Sequence, residues 1–209
     1  GTLGGTLTLV DMGSLEPGNL GRHRLGFNAL TKKKAEAICD ELKRVAPGID
    51  AVAVVGDVKD ANLGPLDLLI DATGEQGLTD WLTWQYADQV PFLSTWVEGA
   101  GAAVRALMKA KPELACARCV SQPPLKDQYR VFDLPPQVMM KGHGCEGLYV
   151  PFPAAASVQA AALAMEMVQA WLDGAESPSF RTRVLNQQRK AHFKDSSPHR
   201  YEGCPACAT

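Results

Sequence analysis

Short apolar runs alternate with amphipathic stretches along the first half of the chain. "TLTLV" (6 to 10), "AVAVV" (51 to 55), "LDLLID" (66 to 71) and "PFLSTWV" (91 to 97) are short runs dominated by apolar residues, as expected of buried strands. Between them, Ala35, Ile38, Leu42 and Val45 recur at three- and four-residue intervals. That spacing predicts a helix over about 32 to 45, capped by Thr31 and stopped by Pro47 and Gly48. "GLTDWLTWQYADQ" (77 to 89) reads as a second helix. The order β, α, β, β, α, β predicts a Rossmann-like α/β fold: a mostly parallel sheet with helices on both faces.

The pattern changes after residue 98. "AAVRALM" predicts a shorter strand, and residues 109 to 144 are rich in proline with little periodicity, so a long connection is expected there. "AAASVQAAALAMEMVQAWL" (154 to 172) is strongly apolar, yet it carries Gln159, Glu166 and Gln169. Val158, Ala161, Met165, Val168 and Leu172 fall at helical spacing, which predicts a buried helix rather than a membrane span. "FRTRVLN" and "KAHFKD" predict a closing antiparallel pair of strands.

Composition narrows the function. The 209 residues are 46 % apolar with a net charge of −2, enough for one core and against a nucleic-acid surface as the main role. No signal-peptide pattern stands at the start, so a cytoplasmic chain is expected. Four of the six cysteines form two pairs, Cys116 with Cys119 in "CARC" and Cys204 with Cys207 in "CPAC". In a reducing compartment such pairs point to metal before disulfides, with incidental pairs or a redox motif as the alternatives. Cys39 lies beside Ile38 on the first helix and reads as core.

The end of the first strand carries candidate chemistry. Asp11 follows "TLTLV" at the edge of the sheet where nucleotides bind, and a carboxylate there can accept from both ribose hydroxyls. Arg22 and Lys34 follow within reach of a triphosphate. An ordinary turn with solvated charges is the alternative, as is a dinucleotide domain in which Asp11 holds the ribose of NAD. A glycine-rich phosphate loop is expected before such a strand. The chain opens "GTLGGTLTLVD" without one and is read as a fragment.

"LVDMGSLEPGNLGRHRLG", "KKKAEAICDEL" and "DLLIDATG" together resemble the ThiF/MoeB/HesA group, bacterial relatives of the ubiquitin-activating E1 enzymes. These enzymes use ATP to adenylate the C-terminal glycine of a ubiquitin-like or sulfur-carrier protein. The resemblance implies ribose binding for Asp11 and phosphate contacts for Asn19, Arg22 and Lys34, with Lys33 a near competitor for the last. It implies a structural zinc on Cys116, Cys119, Cys204 and Cys207. The spacing of 85 positions from Cys119 to Cys204 suits a site that pins a chain end to a loop rather than a finger module. It makes 109 to 144 a crossover loop within one adenylation domain spanning 1 to 209. Cys145 in "GHGCEG", beside His143, would end that loop, and in some members such a cysteine forms a thioester or acyl disulfide; an inert loop cysteine is the alternative. A homodimer is implied, and the details look closest to proteins fused to an E2-like module. One departure bears on magnesium: Gly74 and Glu75 stand where the pattern has Asp-Asn, which leaves Glu75 or Asp71 as substitutes. That departure also raises a reading as an inactive scaffold that only docks a carrier.

Overall fold

The computed structural model describes residues 5–21, 23–133, 140–141 and 148–207, in two compact units, Gly1–Pro65 and Leu66–Thr209. In the first unit, β1 (Thr6–Val10) and β2 (Asp50–Val54) pair in parallel with Thr6 opposite Asp50 and Val10 opposite Val54. Helix α1 (Lys34–Val45) connects them, in the expected β-α-β order. Its buried side is Ala35, Ala37 and Cys39, so Cys39 is core as the pattern predicted, whereas Val45 is exposed. Thr31 does not cap this helix. Its φ of 69° carries the chain through a turn, Lys33 occupies the capping position without a side-chain bond, and the helix starts at Lys34. A small core of Leu15, Leu25, Ala29 and Ala37 holds the connecting loop down.

In the second unit four strands run in the order β3 (Leu69–Asp71), β4 (Phe92–Glu98), β5 (Ala103–Lys109), β8 (Phe180–Val184). Only β3 and β4 are parallel; β5 is antiparallel to both β4 and β8. The segment expected as a shorter strand is thus a full central one. All seven residues of β5 are buried because both its edges are paired. Helix α2 (Gln76–Tyr86) ends earlier than its pattern suggested, where Gln89 and Val90 turn back to the Tyr86 carbonyl. Two short helices, α3 (Ala117–Ser121) and α4 (Pro123–Lys126), lie within the segment expected to connect, and β6 (Met140–Lys141) pairs with β7 (Leu148–Tyr149).

The helix α5 (Ala154–Leu172) has the expected bounds but buries the other face. Ala156, Ala160, Leu163, Ala164 and Met167 pack on Leu93, Val104, Ala106 and Met108, while Val158, Met165 and Leu172 are exposed. No helix among the described residues is long and apolar enough to cross a membrane. The β4–β5 turn approaches the start of α5 so closely that a Cβ on Gly101 (φ 87°) would lie 2.7 Å from the Pro153 ring, so only glycine fits. "KAHFKD" forms no strand alongside β8. Phe193 instead turns in onto Phe180 (ring centroids 4.8 Å apart), and the Asp195 carboxylate accepts from the Thr182 amide.

Candidate nucleotide loop and metal centre

In the first unit the chain leaves β1 at Asp11, whose amide still donates to the Val54 carbonyl (3.2 Å). The Asp11 carboxylate then accepts from the Gly13 amide (2.6 Å), an Asx turn that sets its direction. The Lys34 amide donates to the Gly13 carbonyl (3.0 Å), bringing the start of α1 against this turn. A Cβ on Gly13 would lie 3.0 Å from Asp11 Oδ1 and 3.3 Å from Lys34 Nζ, so carboxylate and ammonium flank one point. Lys33 points elsewhere: its Nζ donates to the Met12 carbonyl (3.3 Å) on the exposed side. Lys34, not its neighbour, is therefore the cation that flanks Gly13 together with Asp11.

Asn19 is buried and its side-chain oxygen accepts from the Glu16 amide (2.9 Å), closing a 3-10 turn over Pro17–Asn19. Its carbonyl group is thus engaged in shaping the loop. Arg22, His143 and Cys145 lie outside the described residues, as do positions 134–139 and 142–144 of the expected crossover loop. At the end of β3, Asp71 accepts from the Thr73 amide and hydroxyl and from the Thr79 hydroxyl, and Glu75 caps α2 through the Gly77 and Leu78 amides. Both substitutes for the acid absent at Gly74 are occupied in local bonds, a poor donor set for magnesium.

The two cysteine pairs meet. Their four buried sulfurs all lie within 4.8 Å of one another, with Cys116–Cys119 at 3.6 Å, Cys116–Cys204 at 3.7 Å and Cys119–Cys207 at 3.4 Å. A tetrahedral metal at about 2.3 Å from each sulfur requires sulfur–sulfur separations of about 3.8 Å, so the set fits such an ion closely. The Tyr201 amide donates to Cys119 Sγ (3.3 Å). Hydrogen bonding within the cluster splits the four thiols: Cys116 and Cys207 are pushed up, while Cys119 is pulled down to about 7 and Cys204 well below the ordinary thiol range. Thiolate character is what metal ligation needs. The first pair is delivered by the N-terminus of α3 and the second by the chain end, which is held by bonds such as that from the Ala115 amide to the Pro198 carbonyl (2.9 Å).

A cleft of about 610 Å3 opens in the second unit between α2, the outer half of β4 and the α3–α4 segment. Its floor holds Arg105, 4 % exposed on the central strand. Arg105 donates to Glu98 (3.0 Å) and to the Tyr129 carbonyl (2.8 Å), and its guanidinium lies 4.1 Å from the Phe180 ring centre and 4.6 Å from that of Phe193. Burial lowers its pKa, against the pull of Glu98. Sequence reasoning passed over this residue; the available signal was a lone cation in the apolar run "AAVRALM".

The chain is 49 % identical over 207 residues to the ATP-dependent ubiquitin transferase-like protein Cap2 of Pseudomonas aeruginosa (strain BWHPSA011 / Pa011), a match covering 99 % of this chain and 38 % of that protein. The fold matches crystal structures of E. coli MccB: with MccA-N7isoASN the TM-score is 0.71 at 16 % identity, covering 98 % of this chain and 60 % of that one. With ATP it is 0.70 at 17 % identity, covering 97 % and 59 %. The family model described as ThiF family matches residues 2–206, and the chain belongs to that family.

Proposed function

We propose that this chain takes part in ATP-dependent adenylation of the C-terminus of a ubiquitin-like or sulfur-carrier protein. The observation that carries this reading is the placement of the Asp11 carboxylate and the Lys34 ammonium around Gly13, at the end of a parallel strand in a ThiF-family chain. A relative named as an ATP-dependent ubiquitin transferase-like protein and an MccB structure with ATP support it. In this reading Asp11 accepts from the ribose hydroxyls, while Lys34, Arg22 and the Asn19 loop meet the phosphates. The carrier's terminal carboxylate oxygen attacks the α-phosphorus, an acyl–phosphate bond forms, and pyrophosphate leaves with the electrons of the broken bond. These residues work by positioning and by neutralising charge on the departing phosphates.

The four cysteines would hold zinc, whose role in a closed four-sulfur site is structural. Thioester transfer to Cys145, a homodimer, an E2-like partner and a cytoplasmic setting belong to the same proposal. The test is ATP–pyrophosphate exchange by the full-length protein with its carrier, and Arg22→Ala is expected to abolish it. An adduct on a non-reducing gel that Cys145→Ser removes would establish the covalent step. Absence of exchange with native carrier would favour the second reading, an inactive docking scaffold, which the glycine at position 74 supports.

A further inference from the structure

The cleft of the second unit is lined by four cationic side chains, Arg105, Arg118, Lys126 and Arg130, against two carboxylates, Asp80 and Glu98. Both carboxylates are already used. Glu98 pairs with the buried Arg105 (3.0 Å), and Asp80 pairs with Arg118, which sits between the first two cluster cysteines. Arg130 pairs outward with Asp127, which is 77 % exposed and does not line the cleft. Among the described residues Lys126 has no ionic partner. Two polar groups of the floor are also unanswered: Arg105 Nη2 and Ser94 Oγ are buried with no hydrogen-bond partner, on residues only 4 % and 2 % exposed. A cleft with surplus positive charge at its rim and unpaired donors beneath is built for a ligand that brings acceptors and negative charge.

We propose that this cleft selects carrier tails bearing an acidic side chain upstream of their last residue, and that Lys126 reads that side chain. The proposal rests on the adenylation reading and deepens it. The terminal carboxylate is consumed in the reaction, so the group Lys126 recognises is a second one. The peptide's main-chain carbonyls supply the acceptors that the floor lacks, against the apolar wall of Trp96, Val97 and Val120. Lys126 lies on α4, outside the four-cysteine cluster and the Asp11 turn, so charge selection is separable from both.

The test uses full-length protein and labelled ten-residue peptides ending in Gly-Gly, with Glu, Gln or Lys placed in turn at each position from third to eighth from the end. Binding is read by fluorescence anisotropy, and pyrophosphate exchange is measured with the same peptides and with native carrier. At one or two positions Glu should bind about twofold to fivefold tighter than Gln, and Lys weaker, with the preference fading in 0.5 M salt. Lys126→Gln should flatten the preference and Lys126→Glu should reverse it, with unchanged melting temperatures for both exposed-site variants. Equal binding of the three peptides everywhere, or a Glu preference that survives Lys126→Glu, overturns the proposal. Exchange without charge preference leaves adenylation standing and removes this inference. Charge preference without exchange, even with native carrier, keeps the acidic-tail site and removes adenylation.

Discussion

The Asp11 turn and the four-cysteine cluster use opposite strategies to build a site. The first is made from one continuous stretch, Asp11 to Lys34, and leaves a carboxylate and an ammonium half-exposed around a glycine. The second gathers residues 85 positions apart, buries all four sulfurs and leaves no open position. An open local site suits a substrate that must enter and leave. A closed long-range site suits an ion that stays and holds the chain end to α3.

If that contrast is right, damage to the first should appear in catalysis and damage to the second in stability. The largest effect is expected from Lys34→Ala, which should lower the exchange rate of the full-length protein by about 100-fold to 1,000-fold, with little change in melting temperature. Lys33→Ala is its control and should change the rate by less than about threefold, because the Lys33 amine faces the Met12 carbonyl. Equal losses in the two variants would break the assignment.

Cys204→Ser should show the converse. Metal content should fall from one ion per chain to near zero, and stability should drop by about 3–5 kcal/mol. Acid should do the same to the unmodified protein. Metal holds the cysteines as thiolates in the folded state, whereas free thiols bind protons below about pH 8.5, so the metal-derived stability is present at high pH and lost as pH falls. Metal affinity should decline by at least about tenfold per unit between pH 7.5 and 5.5, as a chelator competition would measure. A pH-independent affinity would argue against thiolate ligands.

Gly13→Ala sharpens the comparison from the other side. Its new methyl meets Asp11 Oδ1 at 3.0 Å, so ATP affinity should weaken by about tenfold while thermal stability changes by less than about 1 kcal/mol. The smallest effects belong to the outer face of α5. Met165→Lys should cost no more than about 0.5 kcal/mol, against about 2–4 kcal/mol for Leu163→Ala two residues away, as chemical denaturation would read.

Much of this molecule was legible in the amino-acid order. Short apolar-rich runs favour strands, which is why β1, β2 and β4 stand where the pattern put them, although only β4 is largely buried while β1 and β2 stay half-exposed. The two cysteine pairs were nameable because ligand pairs recur at short spacing, whereas Asn19 was singled out by the family resemblance, and Asp11 and Lys34 by residue type together with that resemblance. Other features needed the third dimension. "AAVRALM" is a central strand only because β8 returns from 70 residues away to pair with it. On α5 alanines, not the larger Val158 and Met165, face the sheet: a helix that is apolar all round carries no local signal for which side packs closest. Which way the Lys33 and Lys34 side chains turn was set by the Asx turn that brings Gly13 to the helix start. The cleft, with its buried Arg105 and its Lys126 that has no ionic partner among the described residues, exists only because strands and helices converge. Residue type and spacing are local and survive in the unfolded chain; partners, burial and the balance of charge in a cleft arise only when distant segments meet.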